Sequence, residues 1–167
     1  LARLEQPGQT DAEVLHLEAM DPFPFLEEIY ERSLLLAQGQ DLELVWPKGA
    51  MSTIRADRDM LRRALSNVVE NAIAHTPPGK KIRLSLECRA ESCSFCVDDE
   101  GSGIAADQLP HIFERFYRSD QARSRRTPGT GLGLAIVAAI MRAHGGQVDA
   151  KSRLGHGTRI RLSVPVA

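Results

Sequence analysis

The 167-residue chain has only three cysteines, Cys88, Cys93 and Cys96. An odd number crowded between positions 88 and 96 is a poor disulfide framework and suits a reducing compartment. Cys93-Ser94-Phe95-Cys96 has the C-x-x-C form. It lacks a second ligand pair and lies in the alternating run Ser92 to Val97, so redox and zinc chemistry give way to buried strand cysteines. Cys88 and Cys93 flank a four-residue turn, so a hairpin would bring them face to face, where they can oxidise. Neither charge sign dominates: 21 basic side chains stand against 22 acidic ones, a formal charge of -1. That argues against a general polyanion surface and so against a nucleic-acid partner. No apolar run approaches the roughly 20 residues of a membrane span, and the first residues lack the layout of a secretion signal, so no direct membrane contact is expected. What is present is apolar content of 43%, enough for one core without disulfides or a structural metal.

Leu1 to Glu5 reads as the end of a helix and Gln6-Pro7-Gly8-Gln9 as a breaker, which divides the chain into a leading tail, 1–8, and one domain, 9–167. Residues 13–18 read as a short strand. Asp21-Pro22 opens a helix with Phe25, Leu26, Ile29 and Leu36 on its buried side. Short strands are expected at 41–46 and 52–55. From Asp57, a plausible N-cap, to Thr76, apolar residues recur at three-and-four spacing, which predicts a helix stopped by Pro77-Pro78-Gly79. Residues 81–88 and 92–98 alternate as a hairpin. The stretch 101–130, with three glycines, two prolines and a short amphipathic piece at 111–117, predicts a mobile lid. A helix at 132–144, ended by Gly145-Gly146, and strands at 147–151 and 158–164 complete the chain. This segregation of strands and helices predicts an α+β fold. The expected form is a two-layer sandwich whose mixed, mostly antiparallel sheet is covered on one face by about three helices.

Three constellations carry chemistry. On the 57–76 helix, Asn67, Asn71 and His75 form a stripe along one edge of the apolar face, with Glu70 beside it. Two carboxamide oxygens one turn apart suit a hard cation such as Mg2+; the alternative is ordinary solvated polarity. Asp99-Glu100-Gly101-Ser102-Gly103-Ile104 ends a strand in a carboxylate beside two glycines. A flat ring can approach such glycines, and Asp99 can accept from an exocyclic amine; a simple turn is the other reading. Gly129-Thr130-Gly131-Leu132-Gly133-Leu134 leads straight into a helix, whose free N–H groups and dipole favour phosphate. The G-K-[ST] ending of a Walker loop and the strand-borne G-x-G-x-x-G are both missing. Between the glycine segments stand Arg115, Arg118, Arg123, Arg125 and Arg126, of which Arg118 is the candidate phosphate contact. Phe113 and Phe116 are expected to anchor the lid.

In this order the motifs resemble those of the sensor histidine kinase catalytic domain, within the superfamily of gyrase, heat-shock chaperone, histidine kinase and MutL ATPases. Asn67 to Ala72 resembles its asparagine box, Asp99 to Ile104 its first glycine box and Gly129 to Leu134 its second. Ile112 to Arg118 resembles its phenylalanine box, and Gly155-His156-Gly157-Thr158 the glycine-threonine turn before the last strand. The resemblance implies the Bergerat fold and the cofactors ATP and Mg2+. Asn71 is then the main Mg2+ ligand with Asn67 assisting, Glu70 a base or water-orienting group, and Asp99 the adenine anchor supported by Thr158. Gly101, Gly103, Ile104, Thr130, Gly131, Leu132, Gly133, Leu134 and Arg118 line the nucleotide. There are two departures. The family often has Lys or Arg where this chain has Ala74, and an aromatic where it has His75, which either stacks on adenine or packs on the sheet.

The family transfers the γ-phosphate to a histidine in a neighbouring helical hairpin. None of His16, His75, His111, His144 and His156 sits in such a context, and Leu1 to Glu5 resembles the tail of that hairpin. The resemblance therefore implies two partners, the acceptor-histidine dimerisation hairpin of a homodimeric parent and a response regulator receiver domain. It further implies that this chain alone is monomeric and is a cytoplasmic domain of an inner-membrane sensor. The alternative is a nucleotide-gated conformational module with weak or no transferase activity, which Ala74 motivates. Hydrolysis coupled to dimerisation is disfavoured by the Phe113 to Arg118 segment.

Overall fold

A computed structural model describes residues 14–117 and 133–167. The first helix, α1 (Pro22–Leu34), starts where Asp21 accepts the Phe23 N–H at 3.2 Å and Pro22 presets the helical φ. Phe25, Leu26 and Ile29 are its buried face. Leu36, expected to be buried, is half exposed: the helix has already ended at Leu34, and the chain turns through Gly39 toward the next strand. Ser33 fills the inner position, its hydroxyl donating to the Ile29 carbonyl at 2.7 Å.

The central helix, α2 (Arg58–His75), matches its expected span. Asp57 caps it by accepting the Met60 N–H at 3.1 Å, and Leu61, Ala64, Leu65, Val68, Val69, Ala72 and Ile73 are buried. Its C-terminal carbonyls are claimed from a distance, since the Gln40 amide donates to Ile73 O at 3.0 Å and Thr76 O at 2.8 Å. The third described helix, α3 (Gly133–Ala143), buries Ala135, Val137, Ala138, Ile140 and Met141 and stops at Gly145.

Among the described residues seven strands accompany them: β1 (Glu18–Met20), β2 (Asp41–Leu44), β3 (Ile54–Ala56), β4 (Lys81–Cys88), β5 (Ser92–Asp99), β6 (Gln147–Arg153) and β7 (Gly157–Pro165). Five form a sheet in the order β2-β4-β5-β7-β6, with β2 parallel to β4 and the rest antiparallel; β1 and β3 pair separately. The strand expected at 13–18 therefore lies later, at 18–20, and that expected at 52–55 lies at 54–56, where each finds the other as partner. Strand β2 ends before Trp46, whose ring packs on Phe23 at 4.8 Å while staying largely exposed.

Register gives the sheet two unlike faces. Leu84, Val97 and Ile160 align in one row and Leu86, Phe95 and Leu162 in the next, all buried in the core shared with the helices. The opposite face is a ladder of charge pairs: Arg83 with Glu43, Arg159 with Asp98, and Arg161 with Asp149. Cys96 is buried on that second face, and burial pushes its thiol up to about 11, so it is inert. Cys88 and Cys93 stand directly opposite each other near the hairpin turn and are joined as a disulfide. The architecture is the expected two-layer sandwich, with the helices on one face.

Candidate functional site

The site forms where α2, the end of β5 and the start of β7 meet. Asp99 closes β5 and pairs in register with Thr158. Its Oδ1 accepts two backbone N–H groups, from Gly101 at 2.9 Å and Thr158 at 3.3 Å. Burial raises its carboxyl above the ordinary value, Asp98 pushes the same way, and the two N–H groups only partly offset this. A half-buried, desolvated carboxylate with Oδ2 outside those two bonds suits a ligand that brings its own donor.

Two glycines make this corner possible. A Cβ on Gly101 would stand 2.6 Å from the His75 carbonyl oxygen and 2.8 Å from Asp99 Oδ1, so only a bare backbone lets the strand end approach the foot of α2. Gly157 combines a φ of 93° with a position whose Cβ would collide with Asp99 O, so the β5–β7 junction depends on it. Gly103 lies against the Arg153 carbonyl of β6.

Ser152, which sequence reasoning missed, ties the corner together. Its Oγ accepts the Ile104 N–H at 2.7 Å and donates to the Gly157 carbonyl at 2.9 Å. With its single proton spent on Gly157, Ser152 must receive the Thr158 hydroxyl at 2.7 Å, which leaves the lone pairs of Thr158 Oγ1 available. Its only signal lies in pairing opposite Thr158, a register the sequence does not display.

Along α2, Asn67, Asn71 and His75 are half-buried on the expected stripe, while Glu70 and Ala74 are exposed beside it. The Asn67 amide approaches the Gly133 carbonyl at 3.5 Å, which brings the start of α3, with half-buried Leu134, to the same side. At the foot of α2 the buried Thr76 hydroxyl has no hydrogen-bond partner among the described residues. Arg118, Thr130, Gly131 and Leu132, the arginines at 123, 125 and 126 and the tail 1–8 lie outside the described residues. Of the lid, 101–117 is a run of turns with one 3-10 turn at Leu109–His111. Ile112 is its buried anchor. Of the two residues expected to anchor the lid, Phe113 is half-buried and Phe116 is 72% exposed, with a φ of 63°.

A separate groove of about 500 Å³ lies between α1 and β2, lined by Tyr30, Asp41, Leu42, Glu43, Trp46 and Lys81 among others. It shares no residue with this corner, whose hydrogen bonds and closely packed glycines make it the candidate site.

The histidine kinase-, DNA gyrase B- and HSP90-like ATPase family matches residues 56–167. The chain belongs to that family. It is 36% identical over 149 residues to the sensor-like histidine kinase SenX3 of Mycolicibacterium smegmatis, an alignment covering 89% of this chain and 39% of that protein. Among solved structures it is similar to full-length ShkA in complex with AMPPNP, with a TM-score of 0.79 and 31% identity over 92% of this chain and 32% of that one. It is also similar to the mycobacterial sensor histidine kinase MprB, with a TM-score of 0.76 and 28% identity over 90% of this chain and 97% of that one. The chain spans about two fifths of the length of the curated relatives it matches. It is thus an ATP-binding domain of the sensor histidine kinase type, and the sandwich is the Bergerat fold.

Proposed function

We propose that this domain binds Mg-ATP in the corner between Asp99 and the α2 stripe. The γ-phosphate then passes to an acceptor histidine on a dimerisation hairpin of a homodimeric parent, which in turn phosphorylates a response regulator receiver domain. The observation that carries the reading is the Asp99 carboxylate, desolvated yet braced by the Gly101 and Thr158 N–H groups. In this reading Asp99 accepts the adenine amine, Thr158 receives a further hydrogen bond and Gly101 seats the ring, with Gly103 and Ile104 continuing that wall. AMPPNP, held by the ShkA relative, is an ATP analogue of the same shape.

The donor chemistry on α2 fits Mg2+. Asn71 and Asn67 offer hard oxygens one turn apart, and this ion is usually held by one or two protein oxygens with substrate phosphates and waters. When bound, Mg2+ neutralises phosphate charge. Glu70, exposed beside the stripe, orients the incoming nucleophile or takes its proton, and Arg118 and the Thr130 to Leu134 segment meet the phosphates. Catalysis of this kind is mainly positioning and charge stabilisation.

The parent is read as an inner-membrane sensor with this domain on its cytoplasmic side. Among the described residues, no helix is long and apolar enough to cross a membrane. Incubating the domain with labelled ATP and the parent's acceptor hairpin tests the transfer. Label on the hairpin histidine is expected; demonstrated ATP binding without any labelled histidine would overturn it. That second outcome would favour a nucleotide-gated module without transfer, the reading motivated by exposed Ala74 where a phosphate-directed cation is usual.

A further inference from the structure

Helices α2 and α3 pack side by side at the proposed nucleotide site, and hydrogen bonds tie α3 to α2 at both ends of α3. At one end the Asn67 amide meets the Gly133 carbonyl at 3.5 Å. At the other, the backbone N–H of Asp57 donates to Nε2 of His144 at 3.0 Å, a buried bond between residues 87 apart in sequence. The start of α2 therefore lies beside the end of α3, and the two helices run antiparallel.

The chemistry of His144 is fully determined by its partners. Nε2 accepts, so it carries no proton. Nδ1 lies 2.8 Å from the Ile140 carbonyl, which can only accept, so Nδ1 carries the proton. The ring is neutral, in the Nδ1–H form, with both nitrogens used. It spans from the last turn of α3 to the N-cap of α2, where Asp57 also receives the Met60 and His16 N–H groups.

We infer that His144 is a positioning residue for nucleotide binding: by holding Asp57 it fixes how far along α2 Gly133, at the start of α3, stands. This inference rests on the nucleotide reading of the site. Ten residues separate Asp57 from Asn67 and eleven separate Gly133 from His144. At about 1.5 Å per residue the spans are about 15 Å and about 17 Å, so the two ties match in length to within about one residue. Both helices bury apolar side chains, Ala64 and Val68 on α2 and Val137 and Met141 on α3 among them, and apolar packing favours contact without specifying its register. A buried polar pair does specify register, because a slip leaves its donor unsatisfied. Slippage would shift Gly133 and the phosphate-side backbone relative to Asn67 and Asn71 while leaving Asp99 in place.

Two substitutions separate the bonds. His144→Asn keeps a donor near the Nδ1 position for Ile140 but removes the acceptor for Asp57. His144→Gln places a carbonyl oxygen near the Nε2 position and keeps that acceptor. Calorimetric ATP titration and thermal melting are run on both variants and on the unsubstituted domain, whose ring is examined by 15N NMR. The expected result is a ~3- to 10-fold weaker ATP affinity for His144→Asn, the size of one neutral hydrogen bond. His144→Gln should stay within about twofold, and the native ring should show the Nδ1–H tautomer. ATP affinity of His144→Asn equal to that of the native chain, a Gln variant no better than the Asn variant, or an Nε2–H ring would each overturn the inference. Should His144→Asn fail to fold, the Gln variant and the tautomer decide. If the native domain itself binds no ATP, the site reading fails and this role with it, whereas an intact tautomer would then assign His144 to structure alone.

Discussion

Asp57 and Asp99 are both carboxylates at the end of a regular element, and they are treated in opposite ways. Asp57, at the head of α2, accepts N–H groups from Met60 and His16, one on each oxygen, and gives its own N–H to His144. Burial pushes its carboxyl up, but the Met60, His16 and Asp59 N–H groups together outweigh it and hold it below the ordinary value. Asp99, at the tail of β5, has donors on one oxygen only; burial wins and its carboxyl is raised. A carboxylate whose bonds are all internal serves the fold. One that is desolvated before its bonds are complete suits a ligand that brings its own donor.

The largest expected effect is on binding. Asp99→Asn keeps an oxygen for the Gly101 and Thr158 N–H groups but loses the charge, so ATP affinity should fall ~10- to 100-fold, the range of a charge-assisted hydrogen bond. Its melting temperature should hold or rise, because a poorly solvated charge has gone; calorimetry and melting on one sample read both. Asp57→Ala should do the reverse. Losing the cap and stranding two N–H groups should cost about 1–2 kcal/mol in a denaturant titration.

The two carboxylates should also be separable by pH. A lowered folded value means that the unfolded chain binds the Asp57 proton more tightly. Its stabilisation is present above the ordinary carboxylate range and is lost as pH falls through the folded value. Asp99 has the opposite sign, costing stability as pH rises from the ordinary value through its raised one. Melting curves across the acid range should therefore show a shallower acid loss in Asp57→Ala, and in Asp99→Asn the removal of a decline toward neutral pH. The smallest effect is expected at exposed Ala74: Ala74→Lys should tighten ATP by no more than about 10-fold, as one partly solvated charge contact allows.

What the sequence displayed follows the range of each interaction. Helix α2, its Asp57 cap and the asparagine stripe were legible because 3.6-residue periodicity and capping are local. The β4–β5 hairpin was legible for the same reason, down to the facing Cys88 and Cys93. Asp99 was legible through its glycines. Ser152, Gln40 and His144 were not, because each meets partners far away in sequence, and nothing in a run of neighbours marks such a bond in advance. Leu36 was misread because an apolar residue in helical phase continues the pattern even after the backbone has turned away.

The proposed role of Asp99 is to read an adenine amine. Titrating the native domain with ATP and with GTP, which presents a carbonyl oxygen where adenine presents its amine, tests it most directly. ATP should bind at least ~10-fold tighter than GTP, with the difference lost in Asp99→Asn. Equal affinity for the two nucleotides in the native domain would contradict it.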